Sequence, residues 1–131
     1  IDIRAPGSVR PWQHVLDPLA GYILLAEKLW DDHGLSDAWN FGPENQAPVT
    51  VRDVIELAST AYGNGAVNYH DTNTGPHEAG LLLLDIEKSK RALGFHPQWN
   101  LETSINKTIE WYKHTGDTRT LCLQQIGEFS A

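Results

Sequence analysis

The sequence predicts a small α+β unit, and three observations support that class. Apolar residues recur at helical spacing in several segments, whereas strand-like runs are few and short. Gly, Pro and Asn separate almost all of these segments. There is no internal repeat, low-complexity linker or second set of elements, so we expect residues 1–131 to form one unit. It should contain roughly three or four short strands and four or five helices, too little strand for a doubly wound sheet.

The chain is predicted to begin with a strand, a loop and a long helix. Residues 1–4 alternate as a strand does, and the following APGSVRP contains the Gly and Pro that end one. Asp17 is suited to cap the helix and Pro18 to occupy its first position. Gly34 is expected to close the helix in a left-handed conformation. One face of this helix is predicted to be apolar, because it carries apolar residues at helical spacing: Leu19, Ile23, Ala26 and Trp30.

The middle of the chain is predicted to hold two short strands around a second helix. AWNFG, residues 38–42, and AVNYH, residues 66–70, have the composition of short strands. Between them, TVRD at residues 50–53 is typical of a capping box, and Gly63 ends the helix that follows.

The last third is predicted to be mainly helical. LLLLD, residues 81–85, indicates one more strand, and IEKSKRAL forms a short helix that Gly94 stops. Asn100 caps a longer helix, and the tail TRTLCLQQIGEF adds a further helix.

Composition excludes several classes of function. A net charge of −7 is opposed to nucleic-acid binding, which requires a basic surface. The longest apolar run is too short to span a bilayer, and the chain does not open with a signal peptide. The lone Cys122 is consistent with a cytoplasmic protein. Because the sequence has no Met and opens on a strand, we expect it to be a fragment of a longer protein.

Common catalytic and cofactor motifs are absent from the sequence. The nearest match to a dinucleotide-binding glycine loop is GNG at residues 63–65, but it follows a helix and Asn68 stands where the third glycine belongs. No Tyr-x-x-x-Lys pair or G-x-S-x-G elbow occurs. His70 and His77 flank a polar loop without the spacing of a zinc site, so we predict no metal and no catalytic residue in this chain.

Arg10 is the strongest candidate for ligand binding. Pro11 restricts its backbone to extended conformations, and Trp12 can hold the segment in place. A guanidinium stays charged and offers a phosphate two hydrogen bonds at once. The alternative, open on composition alone, is an arginine paired with a surface acid.

Three further residues are candidates for the same role. Arg4 stands at a strand end, where ligand contacts are common. His77 and Glu78 are presented by a Gly-Pro turn and could bond to a phosphate or a sugar hydroxyl. Solvated charges and a capped turn are the alternatives.

Three long segments together resemble the C-terminal part of the extended short-chain dehydrogenase/reductase family. They are VRPWQHVLDPLAGYILLAEKL, AWNFGPE and PHEAGLLLLDIEKSKRALGFHPQWNLETSINKTIEWYK, and they cover nearly the whole chain. The order of elements is similar to the small substrate-binding lobe of nucleotide-sugar epimerases and dehydratases. RPWQHV is fairly specific, whereas WNFGP and LGFHPQW mark only the superfamily.

The resemblance implies a function and a set of partners. The expected ligand is CDP-glucose or a related nucleotide sugar, converted to a 4-keto-6-deoxy sugar for bacterial O-antigen synthesis. NAD and the catalytic Tyr and Lys would belong to an N-terminal domain absent here, so this chain alone is expected to be inactive. The parent enzyme is expected to be a homo-oligomer. The lobe of another epimerase or dehydratase and a non-catalytic binding or dimerisation module remain alternatives.

Residue by residue, the resemblance assigns roles to the four candidates. Arg10 matches the family arginine that binds the diphosphate, and Arg4 lies where the base usually runs. His77 and Glu78 occupy a loop where many relatives place a second phosphate-binding arginine, which this sequence lacks.

Overall fold

The α+β class is confirmed by the computed structural model, which describes residues 1–44, 47–70 and 79–130. Two strands, β1 (Asp2–Arg4) and β2 (Asn68–His70), pair in parallel with Ile3 opposite Tyr69. The helices are α1 (Leu16–Asp31), α2 (Val51–Tyr62), α3 (Glu87–Leu93), α4 (Leu101–Lys113) and α5 (Thr118–Phe129), and a 3-10 turn spans His33–Leu35.

Two of the predicted strands do not form. Residues 38–42 belong to no sheet, and within residues 81–85 the pairing is a single bridge from Leu81 to Val9. Side chains satisfy part of this backbone in place of a neighbouring strand. The Ser89 hydroxyl donates to the carbonyl of Asn40 at 2.7 Å, and the Asn40 amide donates to the carbonyl of Asp85 at 3.2 Å.

The ends of α1 differ from the prediction. The cap residue is Val15, without a side-chain cap, and Asp17 is the second residue of the helix and is buried. Its carboxylate accepts from the backbone N–H of Gln98 at 2.7 Å, so a distant partner replaces the local cap. After α1, the extended Asp32 ends the helix, and Gly34 lies in the 3-10 turn rather than in a left-handed cap.

The apolar core lies between α1, α3 and the segment that joins α1 to α2. Its fully buried members are Phe41, Ile86, Leu93 and Phe95. Leu24 and Leu25 of α1 pack against them. At Gly21 the Phe41 ring comes so near that a Cβ would lie 2.3 Å from it, so a glycine is needed for this close approach.

The apolar face predicted for α1 does not face the core. Its large members Leu19, Ile23 and Trp30 are exposed, and the opposite face of the helix meets the core. Both faces of α1 are apolar, so helical spacing alone does not distinguish them.

The other helix ends agree with the sequence. Thr50 and Asp53 form the capping box of α2, and Asn100 accepts from the N–H of Thr103 at 2.9 Å to cap α4. Gly63 and Gly94 end α2 and α3 at φ values of 93° and 71°, a conformation that favours glycine. Within the residues described, none of the helices has both the length and the apolar character to cross a membrane.

Candidate functional site

The backbone around Val9 fixes the position of Arg10. Val9 bridges to Thr50 at the start of α2 on one side and to Leu81 on the other. Its N–H donates to the carbonyl of Gly80 at 2.8 Å, and its carbonyl accepts from the N–H of Leu82 at 3.1 Å. Arg10 therefore leaves a segment that is hydrogen-bonded to two other parts of the chain.

The Arg10 side chain lies at the wall of a cleft. It is half-buried, and its Nη1 donates to the carbonyls of Val9 at 2.8 Å and Ala79 at 2.9 Å. Beside it, the indole Nε1 of Trp12 donates to the carbonyl of Val49 at 3.3 Å. Arg10, Pro11 and Trp12 together line a cavity of about 420 Å³. This volume is within the range of small-molecule sites, about 300–1,000 Å³.

A second wall of the cleft comes from the turn that precedes α4. Pro97, Trp99 and Leu101 line it with apolar surface. Asp17 holds the backbone of this turn by accepting from the N–H of Gln98. The His14 ring packs on the Trp99 indole with centroids 4.7 Å apart. The start of α1 therefore positions both walls, Arg10 before it and Trp99 through side-chain contacts.

Burial shifts the pKa of both residues that hold this wall. Desolvation raises the pKa of the Asp17 carboxyl, although its bonds to the N–H groups of Gln98 and Trp99 act in the other direction. Desolvation lowers the pKa of His14, and the nearby charge of Lys107 adds to the effect. His14 Nδ1 accepts from the N–H of Leu16 at 3.3 Å, which indicates the neutral ring protonated at Nε2.

Charge in the cleft is not set by Arg10 alone. Glu44 also lines it, and its carboxylate pairs with the Lys90 ammonium at 3.1 Å. Lys90 offsets the charge of Glu44, and Arg10 brings a guanidinium beside the aromatic side chains of the cleft. Such a pairing is suited to an anion that carries a ring, as a nucleotide does.

The remaining sequence candidates do not all meet at this cleft. Arg4 lies at the end of β1, opposite His70 in the parallel pair, and it is not among the described residues that line the cavity. His77 and Glu78 lie outside the described residues. Ala79, the first described residue after them, is bonded to Arg10.

Sequence reasoning missed two contributors to the cleft. His14 belongs to no catalytic or metal-binding motif in the sequence, and it is buried. Asp17 was assigned to a helix cap. The partners of both lie more than 80 residues away, at Gln98 and Trp99, and no local pattern signals such contacts.

Among the described residues, the glycines nearest in spacing to a dinucleotide-binding loop lie in a different structural context. Gly63 and Gly65 follow α2, and Gly63 caps that helix rather than joining a strand to a helix. In residues 1–44, 47–70 and 79–130, no group of three or more His, Cys, Asp or Glu side chains could hold a metal ion.

The fold is a small α+β unit, and its cleft places a guanidinium beside aromatic side chains. The chain is 41% identical over 112 residues to CDP-glucose 4,6-dehydratase of Salmonella typhimurium strain LT2. The match covers 85% of this chain and 31% of that enzyme, in its C-terminal portion. No protein-family model matches the chain.

The resemblance inferred from the sequence is therefore confirmed. Within the nucleotide-sugar enzymes, the resemblance is specifically to the CDP-glucose 4,6-dehydratase type. The segments RPWQHVLDPL, PHEA and LCLQQI also indicate this type.

Proposed function

We propose that this chain is the substrate-binding part of a CDP-glucose 4,6-dehydratase. The observation that carries the proposal is the 41% identity to such an enzyme over most of the chain. The whole enzyme would be an NAD-dependent lyase that forms CDP-4-keto-6-deoxyglucose, in the cytoplasm, for O-antigen synthesis. It would act as a homo-oligomer.

In this proposal Arg10 binds the diphosphate of the nucleotide sugar. The cleft supports the assignment, because the guanidinium lies at a wall held by backbone bonds on two sides. A fixed cation loses little entropy on binding, and the planar guanidinium matches phosphate oxygens. Trp12 and Trp99 line the same cavity and offer a ring surface for the base or sugar.

The other predicted ligand residues remain part of the proposal. Arg4 would contact the base from β1, and His77 with Glu78 would approach the phosphate or sugar from the loop before Ala79. NAD would accept a hydride and later return it. Its binding site would lie in the part of the relative that this chain does not match. This chain contributes binding and orientation only.

A titration with nucleotides tests the proposal. Chemical shifts of 15N-labelled chain would be recorded with CDP-glucose, CDP and inorganic phosphate. We expect the largest shifts at residues 9–12 and 97–101, with CDP-glucose binding tighter than phosphate. Arg10→Ala should weaken binding by about 10- to 100-fold, the usual effect of losing a charge-assisted bond.

Arg119→Ala is the matched control, because Arg119 is exposed on α5 and does not line the cleft. It should bind as the wild type does. Equal affinity of the Arg10→Ala variant and the wild type would overturn the role of Arg10. Tighter binding of UDP-, GDP- or dTDP-glucose than of CDP-glucose would favour the lobe of another nucleotide-sugar enzyme.

A further inference from the structure

Among the described residues that line the cleft beside Arg10, Glu44 contributes the one carboxylate. A carboxylate accepts hydrogen bonds and donates none. Phosphate groups likewise present acceptor oxygens, and they carry the same sign of charge as Glu44. The diphosphate assigned to Arg10 is therefore an unsuitable partner for Glu44, which requires a part of the ligand that carries hydrogen-bond donors.

Lys90 of α3 holds the Glu44 carboxylate in place. Its ammonium lies 3.1 Å from Oε1 and 3.2 Å from Oε2 of that carboxylate. The same ammonium also pairs with Glu87, at 3.3 Å, in the first turn of α3. Each carboxylate oxygen has two acceptor sites, so the bonds to Lys90 leave one site on each oxygen of Glu44, side by side.

The two amide side chains that line the cleft bond to backbone groups nearby. The Gln98 amide donates to the carbonyl of His96 at 3.3 Å. The Asn100 amide oxygen accepts from the N–H of Thr103 at 2.9 Å. Among the described lining side chains, the Glu44 carboxylate is thus the one that offers two adjacent acceptor atoms to a ligand.

A pair of adjacent acceptors matches a pair of adjacent hydroxyl groups. Hydroxyls on neighbouring ring carbons can donate to the two oxygens of one carboxylate, and acidic residues bind ribose hydroxyls in dinucleotide sites. Such bonds to a charged acceptor are roughly twice as strong as neutral ones. A nucleotide sugar carries hydroxyl pairs on its ribose and on its hexose, the two rings that flank the diphosphate.

We propose that Glu44 is a specificity-determining residue that accepts from a vicinal diol of the nucleotide sugar. The guanidinium of Arg10 attracts the diphosphate, while the carboxylate of Glu44 repels it and bonds to a neighbouring ring. Lys90 keeps the two oxygens of Glu44 oriented for the two hydroxyls. This inference rests on the proposed function, because it requires a nucleotide sugar in the cleft.

Two ratios of affinity, measured by titration calorimetry of this chain, test the proposal. The preference for CDP over 2′-deoxy-CDP reports on the ribose diol, and the preference for CDP-glucose over CDP reports on the hexose diol. At least one of these preferences should be about 10-fold in the wild type, the usual effect of a hydrogen bond to a charged group. Glu44→Ala should abolish that preference.

Inorganic diphosphate distinguishes a role in specificity from a structural one. Glu44→Ala removes a negative charge from the cleft, so the variant should bind diphosphate at least as tightly as the wild type does. Its affinity for the ligand that carries the recognised diol should fall about 10-fold. A fall in both affinities would indicate a structural role and overturn the proposal.

Glu87→Ala is the matched control, because Glu87 also pairs with Lys90 but does not line the cleft. It should keep both wild-type preferences. If the wild type binds CDP and Glu44→Ala leaves both preferences unchanged, or Glu87→Ala alters them equally, the role of Glu44 is overturned and the proposed function stands. If the wild type binds neither CDP nor CDP-glucose, the proposed function fails and this inference fails with it.

Discussion

The two faces of α1 differ in a way that hydrophobicity does not predict. The buried face carries Gly21 and the charged Asp17, whereas the exposed face carries Ile23 and Trp30. Shape and hydrogen bonding decide which face is buried, because Gly21 admits the Phe41 ring and Asp17 accepts from the backbone N–H of Gln98. An apolar stripe on a helix therefore indicates a surface that favours contact with other apolar groups. That surface need not be the one that faces the core of the same chain.

Adding one methyl group at Gly21 should give the largest change in stability on the buried face. In Gly21→Ala the new Cβ would lie 2.3 Å from the Phe41 ring, which the core holds on all sides. We expect a loss of about 1–3 kcal/mol in the free energy of unfolding, the usual cost of overpacking. Urea denaturation measures it.

Gly127→Ala on α5 is the control for this substitution. A Cβ at Gly127 would contact nothing within 4 Å, and Ala favours a helix over Gly by roughly 0.5–1 kcal/mol. This variant should be stabilised. If the Gly21→Ala chain is as stable as the wild type, the Phe41 ring and the core around it accommodate the new methyl group. Shape then does not fix this face of α1.

Acid should weaken the contact between the start of α1 and the wall of the cleft. Burial lowers the pKa of His14 below 6.5 in the folded chain, so between that lower pKa and 6.5 the unfolded chain binds more protons. Stability conferred by neutral His14 is then lost as the pH falls from about 7.5 to about 5.5. His14→Phe keeps an aromatic ring against Trp99 but does not titrate.

The His14→Phe chain should therefore lose less unfolding free energy between these two pH values than the wild type. Asp17, whose raised pKa acts in the opposite direction, is common to both chains, and its effect cancels in the difference. Equal pH dependence of the two chains would contradict the burial of a neutral His14.

Local chemistry explains which parts of the fold the sequence predicts. The caps of α2 and α4 join residues three positions apart, so Thr50 with Asp53 and Asn100 with Thr103 are legible in the sequence. Gly63 and Gly94 are equally local. The strand predicted at residues 38–42 does not form, and its carbonyls accept instead from side chains of α3 and from Gln13, which no alternation of residues reveals.

The cleft divides in the same way. The prediction of Arg10 as a ligand-binding residue rests on the adjacent Pro11 and Trp12, because rigidity and permanent charge are local properties of the sequence. The second wall of the cleft, formed by the turn before α4, depends on the hydrogen bond of Asp17 with Gln98 and on the ring contact of His14 with Trp99. Only the folded chain creates these contacts. The spacing of residues along the sequence therefore does not reveal the part of the cleft that such distant contacts build.

Two adjacent residues give the sharpest test of the difference between the faces. Ile23 is 71% exposed on the outer face of α1, while Leu24 packs against the core. In dilute solution, where copies are separate, Ile23→Ala should change the free energy of unfolding by no more than about 0.5 kcal/mol. Leu24→Ala should cost more, about 1–3 kcal/mol for a partly buried leucine. Urea denaturation at low and high protein concentration separates the contributions. If Ile23→Ala lowers the free energy of unfolding as much as Leu24→Ala does in dilute solution, the exposed face of α1 is covered within a single copy. The contrast between the two faces then disappears.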